Sequence, residues 1–248
     1  MNKTVFITGS ARRIGRALVL NFAQQGWNVA VNYFSSKDKA ENTLFDLQKY
    51  GIKAKLFKGD VKDKASIYNA ILEAKEYFGT IDVLVNNAGI YPSKSTLLEV
   101  NEELWREVFN VNLFGEFFAS QAYAKLFTKG RIINFSSLGG IQIWKDRIPY
   151  NVSKAAVIQL TKVLARSLAP NFTVNSVAPG AINLEDEPAE GNLIDVKKIP
   201  MQRYGSTEDI FSAVYFFATT TTYITGQTLI IDGGLHLSQD TSQDTSQE

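Results

Sequence analysis

The fold is decided by the stretch Thr4-Val5-Phe6-Ile7-Thr8-Gly9-Ser10-Ala11-Arg12-Arg13-Ile14-Gly15-Arg16. A short β-branched and apolar run ends in a glycine-bearing turn. From Arg12 to Gln25 apolar side chains then recur at helical spacing. A Gly-rich turn between a strand and a helix lets backbone amides approach a pyrophosphate at the positive helix end. Two glycines alone say little. Their weight comes from their place after the first strand of a long alternating pattern.

That pattern continues outward from the turn. Short strand-like runs recur at Val29-Ala30-Val31, Ala54-Lys55-Leu56-Phe57, Val83-Leu84-Val85, Ile132-Ile133-Asn134-Phe135, Val174-Asn175-Ser176-Val177 and Leu229-Ile230-Ile231. Helical periodicity fills the intervals, as from Lys62 to Phe78. Strands alternating with helices predict βαβ units and a parallel sheet covered on both faces. A barrel needs about eight such units, so the expectation is an α/β, doubly wound Rossmann fold with a seven-stranded parallel sheet. Residues 1–236 read as a single domain. Residues 237–248 form a polar tail, with Ser238 to Glu248 repeating Ser-Gln-Asp-Thr, and such a composition predicts disorder.

Bulk properties remove several classes of function. The 248 residues contain no cysteine, which excludes disulfides and thiolate chemistry. One histidine, His236, is too few for a multi-histidine metal cluster, so no metal site is expected. A net charge of +1 with interspersed signs leaves no footprint for nucleic acid or an anionic membrane. The first apolar run is too short for a signal-peptide core, and none reaches the roughly 20 residues of a membrane span. A soluble cytoplasmic protein is expected.

The second strand carries information on the nucleotide. NAD selectivity uses an acid at the end of that strand, bonded to the ribose 2′-hydroxyl. Here Tyr33 stands there, followed by Phe34, Ser35, Ser36 and Lys37, with no carboxylate before Asp38. A neutral, hydroxyl-rich turn with Arg12 nearby suits a 2′-phosphate. The cofactor expected is NADP(H).

Tyr150 and Lys154 are four residues apart in a helical run from Tyr150 to Ala169, so they share a face. Hydride transfer to a ketone leaves an alkoxide unless an acid supplies a proton. An ammonium about 4 Å from a phenol of ordinary pKa near 10 is worth about 4 kcal/mol, enough to bring it near 7. Ser137 follows the fifth strand, where α/β sheets place ligands, and its hydroxyl suits an oxyanion. Ser136 is the competing assignment.

Thr8-Gly9 through Gly15, Asp60-Val61, Asn86-Asn87-Ala88-Gly89, Asn110-Val111-Asn112, Ser136-Ser137, Tyr150 through Lys154 and Pro179-Gly180 occur in this order. The chain resembles the short-chain dehydrogenase/reductase family across residues 1–236. The resemblance implies catalytic roles for Asn112, Ser137, Tyr150 and Lys154. It implies cofactor contacts from Gly9, Arg12, Arg13, Ile14, Gly15, Tyr33, Ser35, Ser36, Asp60, Val61, Asn87, Ala88, Gly89, Tyr150, Lys154, Pro179, Gly180 and Ile182. Asn112 resembles the asparagine that bends its helix near the lysine, with Asn110 the alternative. As bland readings, Asp60 is a helix N-cap and Asn87 a turn former.

Two departures stand out. Arg13 replaces the family's usual glycine, and Asn183 stands near its usual threonine. Leu184 to Pro200 reads as a substrate lid, with a plain surface loop as the alternative. The leading expectation is a carbonyl reductase resembling the 3-oxoacyl-[acyl-carrier-protein] reductases, acting on a small carbonyl or alcohol, including an acyl-carrier-protein thioester. Arg13 and the acidic loop resemble the pteridine reductases instead, with a pterin as substrate. An alcohol or sugar dehydrogenase is third, and a silent NADP(H)-binding scaffold is the rival from another class. Trp105 to Phe127 and Tyr150 to Ala169 carry apolar residues on several faces. In the family these segments build a dimer within a tetramer, so a homotetramer is expected, with the final strand Thr228 to Asp232 as the second interface.

Overall fold

A computed structural model describes residues 2–184 and 194–237. All seven anticipated runs are strands: β1 Thr4–Ile7, β2 Asn28–Tyr33, β3 Ala54–Lys58, β4 Val83–Asn86, β5 Gly130–Phe135, β6 Phe172–Pro179 and β7 Thr228–Ile231. They form one parallel sheet in the order β3-β2-β1-β4-β5-β6-β7. In register, Val5 stands opposite both Val29 and Val83. The helices are α1 Arg13–Gln24, α2 Lys37–Leu47, α3 Lys64–Phe78, α4 Glu102–Phe109, α5 Gly115–Leu126, α6 Ile148–Leu168 and α7 Thr207–Thr219.

Strand alternation explains why both faces are apolar. Val5 and Ile7 point into a layer with Leu18 and Phe22 of α1, Leu47 of α2 and Val214 of α7. Phe6 points the other way, onto Ile67 of α3, Tyr123 of α5 and Ala165 of α6. A side-chain period of two sends successive residues to opposite layers, so a strand buried on both sides must be apolar throughout.

The chain leaves β1 toward β2 and β3, then returns to place β4 on its other side. That reversal opens a crevice at the carboxyl ends of β1 and β4, where doubly wound sheets bind ligands. Across the sheet, α4 and α5 are joined by a π-helical turn, Asn110–Phe114. One extra residue in a turn displaces the groups around it, and such bulges gather at functional sites.

The anticipated lid falls only partly within the described residues. Residues 185–193 lie outside them, as does the tail 238–248. Beyond the gap, Ile199 is buried with Leu138 and Leu235 in a third, small apolar cluster, and the Tyr204 hydroxyl donates to the Ile194 carbonyl.

The start of α7 is held by a reciprocal cap. The Ser206 hydroxyl accepts from the Asp209 amide, and the Asp209 carboxylate accepts from the Ser206 amide at 2.8 Å. Arg203 grips the same carboxylate at 2.6 and 2.9 Å, and chiefly for that reason its pKa falls from 3.8 to about 2. Ser206→Ala should cost about 1 kcal/mol, read as a lower urea midpoint at unchanged slope. A carboxyl with a depressed folded-state pKa stabilises fully above pH 3.8, and that contribution is lost as pH falls through about 2. The stability gap between wild type and Asp209→Asn should therefore close on acidification.

Candidate active site

The crevice begins at Gly9, whose φ of +61° suits glycine. A Cβ there would stand 3.0 Å from the Ala88 Cα, and one on Gly15 would stand 2.6 Å from the Gly9 carbonyl oxygen. These two close approaches bind the turn to the start of α1 and to the segment after β4. The Thr8 hydroxyl accepts from the Asn87 and Ala88 amides, both at 3.0 Å. In return, Asn87 Nδ2 donates to the carbonyls of Thr8 and Gly9 at 2.9 and 3.2 Å.

Asn32, inside β2, braces the turn from the other side. Its Oδ1 accepts from the Gly9 amide at 3.1 Å, while Nδ2 donates to the carbonyls of Phe57 and Gly59. Sequence reasoning passed over this role. Its signal was a polar residue in the apolar run Val29-Ala30-Val31-Asn32.

Arg12 and Arg13 are exposed beside the turn. Arg13 has φ +53°, a left-handed conformation that glycine adopts without strain and that costs an arginine roughly 1–2 kcal/mol. The side chain of Ile14 is half-buried and packs onto the core. Tyr33 is half-buried at the end of β2, Ser35 is exposed, and Ser36 precedes α2 without capping it. Asp60 follows β3 and accepts from the Lys62 amide at 2.9 Å. The N-cap reading of Asp60 is corrected: Asp63 caps α3, accepting from Ala65 and Ser66. Val61 is pressed against Gly115, where a Cβ would lie 3.0 Å away.

Asn112 lies fully buried in the π-helical turn, whereas its alternative Asn110 is exposed. The Asn112 amide clamps Ile90 at both backbone groups, accepting from its N–H at 2.8 Å and donating to its carbonyl at 3.0 Å. This ties the loop after β4 to the bent helix and leaves the backbone of Gly89 exposed beside Lys154. A Cβ on Gly89 would stand 3.7 Å from Lys154 Nζ.

Pro149 opens α6 and puts Tyr150 in its first turn, one turn before Lys154. The Ser137 hydroxyl accepts from the Gly139 amide at 3.1 Å and lowers the pKa of the Tyr150 phenol. Ser136 instead donates to the Val177 carbonyl at 2.9 Å and accepts from the Ser176 hydroxyl at 2.8 Å, a structural pairing between strands. Tyr91 meets the Tyr150 ring edge-on at 4.8 Å, and Trp144 stacks along it at 6.2 Å. The Arg147 guanidinium caps Tyr91 at 4.2 Å and donates to the Pro92 carbonyl.

The electrostatics correct one expectation. Burial pushes the Tyr150 phenol up to about 12, opposed by Ser137 and by the charge of Arg147. Lys154 is itself buried and turns away, donating to the Phe135 carbonyl and to Glu116 Oε1 at 3.4 Å. Its own pKa is lowered by burial, with Glu116 opposing. The helical spacing does put the two side chains one turn apart. It does not point the ammonium at the phenol.

At the carboxyl end of β6, Pro179 and Gly180 stand beside the site. A Cβ on Gly180 would lie 2.7 Å from Asp232 Cβ, so this glycine is required by packing. Ile182 bridges to Gly205, and Asn183 is exposed. The glycine turn, the open backbone at Gly89 and the arginine-bearing helix start together fit an elongated, phosphate-bearing nucleotide. Among the described residues no helix is long and apolar enough to cross a membrane, and no acidic or histidine cluster suits a metal ion.

The chain belongs to the short-chain dehydrogenase/reductase family, a class of oxidoreductases. The family model for enoyl-(acyl carrier protein) reductase matches residues 9–236. Among curated relatives, the 3-oxoacyl-[acyl-carrier-protein] reductase FabG of Staphylococcus epidermidis is 37% identical over 247 residues, covering 96% of this chain and 100% of the relative. A short-chain dehydrogenase/reductase from Serratia marcescens superposes with a TM-score of 0.88 at 35% identity, covering 94% of this chain and 97% of the other. A short-chain dehydrogenase from Burkholderia cenocepacia, solved in complex with NADP, gives 0.87 at 33% identity, covering 94% and 98%.

Tyr150→Phe keeps the ring between Tyr91 and Trp144 and removes only its hydroxyl. Turnover should fall by ~10²–10⁴, the usual consequence of losing a general acid, with unchanged thermal unfolding. Retention of more than about a tenth of the wild-type rate would mean that another group donates the proton.

Proposed function

We propose that this chain is an NADP(H)-dependent carbonyl reductase whose substrate is a 3-oxoacyl thioester, most like the 3-oxoacyl-[acyl-carrier-protein] reductases. The observation that carries the reading is the placement of Ser137, at the carboxyl end of β5, and Tyr150, whose pKa Ser137 lowers, beside the turn made by Thr8-Gly9 and Asn87-Ala88-Gly89. The cofactor is NADP(H). Arg12 and the hydroxyls of Tyr33, Ser35 and Ser36 hold its 2′-phosphate end, and Arg13 contacts the pyrophosphate or forms a wall of the substrate pocket. Gly9, Ile14, Gly15, Asp60, Val61, Asn87, Ala88 and Gly89 line its length, and Lys154, Pro179, Gly180 and Ile182 flank the reactive end. When bound, the nicotinamide supplies a hydride.

The chain's own residues do the remainder. Tyr150 remains protonated across neutral pH, because its phenol is pushed up to about 12, and it gives its proton to the nascent alkoxide oxygen. Ser137 donates to that oxygen as charge develops. In the reverse direction the phenolate is required, so alcohol oxidation should accelerate with pH through the alkaline range. Leu97, Leu98, Ile141 and Ile143 are exposed on the two segments flanking Tyr150, an apolar approach suited to an acyl chain.

The flat rings of Tyr91 and Trp144 around Tyr150, with Arg13 at the turn, favour a dihydropterin as the second reading. Absorbance assays with NADPH and 3-oxoacyl thioesters, dihydropterins, simple ketones and sugars decide between them. The thioester should be reduced fastest, and preference for the dihydropterin would replace the first reading with the second. NADPH should bind at least about tenfold tighter than NADH by fluorescence titration, since charge-assisted bonds to a phosphate are the strong ones. Tyr33→Asp should weaken NADPH while sparing NADH.

The chain assembles as a cytoplasmic homotetramer in this reading. Phe114, Val152 and Val163 leave apolar surface exposed on and next to α5 and α6, and Phe216 and Leu229 do so on α7 and β7. Light scattering at micromolar concentration should give four times the 27.6 kDa chain mass. A monomer mass would refute the assembly.

A further inference from the structure

Glu116 sits in the first turn of α5 with 2% of its surface exposed, and sequence reasoning gave it no role. Its Oε1 lies 3.4 Å from Lys154 Nζ, and its Oε2, also buried, has no hydrogen-bond partner. An acid so placed is costly unless matched, and removing one partner of a buried pair leaves the other uncompensated. Among the described residues, Lys154 is the one group whose charge acts on this carboxyl. From β4, Asn86 donates to the Glu116 backbone carbonyl at 3.3 Å, and from α5 itself the Ser120 hydroxyl does so at 2.6 Å. From β5, the Phe135 carbonyl accepts from Lys154, and from α6 the next titratable group is Tyr150. Lys64 and Tyr68 of α3 line a cavity with Gln121 and Lys125 on another part of α5.

We propose that Glu116 is a positioning residue for Lys154: the two share one buried proton, so the carboxyl fixes both where the lysine Nζ sits and whether it is charged. Net neutrality is the reason. Ammonium with carboxylate, or amine with carboxylic acid, keeps the pair uncharged overall, whereas any other state buries a net charge. Burial raises the Glu116 pKa to about 8 and lowers that of Lys154, as expected of two groups that depend on each other. The inference rests on the reading of Lys154 as a cofactor-holding residue only for its functional reach. The pairing itself is independent of any substrate.

The test uses lysine labelled with ¹³C at Cε in the full chain, with the Lys154 signal assigned by its loss in Lys154→Arg. Wild type and Glu116→Gln are titrated without cofactor. Glutamine keeps the shape and one acceptor but cannot carry the charge. Lys154 should titrate at least about one pH unit lower in Glu116→Gln, since each unit reflects 1.36 kcal/mol of differential interaction. NADPH affinity should then begin its decline at correspondingly lower pH. Glu116→Asp, with its carboxylate withdrawn by one methylene, should shift Lys154 in the same direction by less, and it decides the matter if the glutamine variant does not fold. An unchanged Lys154 midpoint in a folded Gln or Asp variant overturns the proposal, even if stability or turnover drops. If wild type fails to bind NADPH while Lys154 still shifts, the cofactor reading fails and the pairing stands.

Discussion

A parallel sheet covered by helices on both faces leaves polar chemistry one outlet, the ends of its strands. Every residue of β1 and β4 is buried, so neither strand can present a functional group from its middle. What those strands contribute begins where they stop, at Thr8 and at Asn86-Asn87. The reversal of strand order between β1 and β4 separates the chains there and makes the opening. The Thr8 and Asn87 side chains then exchange hydrogen bonds across it, and Asn32 secures the turn from β2. The turn at this opening is thus held by short polar side chains whose partners are backbone groups of neighbouring strands.

Burial governs the chemistry as well. A seam of neutral polar residues runs between the sheet and the α5–α6 layer. Asn86 donates to Asn134 at 2.9 Å and to Ser120 at 2.9 Å, and Asn134 donates to Thr161 at 2.9 Å. Such groups are tolerated inside because their hydrogen bonds are made, Asn86 Oδ1 excepted. Lys154 enters the same region with a charge, and a buried ion pair is a poor source of stability compared with apolar packing. Tyr150, walled by aromatic rings, is kept in its protonated form by the same low-polarity surroundings.

The legible features were those with short-range physical signatures. Period-two runs gave the strands, helical spacing gave α1, α3 and α6, and the glycines of the first turn stand where a Cβ would come within 3.0 Å or less of neighbouring backbone. The serine assignment rested on location, and the structure commits Ser136 to the Val177 carbonyl of the neighbouring strand. Arg13 was legible as a departure. Its left-handed backbone, though, follows from the turn that β1 and α1 impose on whatever residue stands there. The helix cap at Asp63 rather than Asp60 was misread because both precede the same helical run, and only backbone geometry separates them.

The sequence by itself determined the α/β alternation, the phosphate turn, the missing acid after β2 and the sharing of one helix face by Tyr150 and Lys154. These depend on residues a few positions apart, whose relation is set by local backbone periodicity. Tertiary structure decided where the lysine's charge goes. Glu116 is 38 residues from Lys154, and the two meet because the π-helical turn sets the start of α5 against α6. No local pattern encodes which polar side chains of two facing helices will touch. In a buried layer, that contact determines the charge state of both.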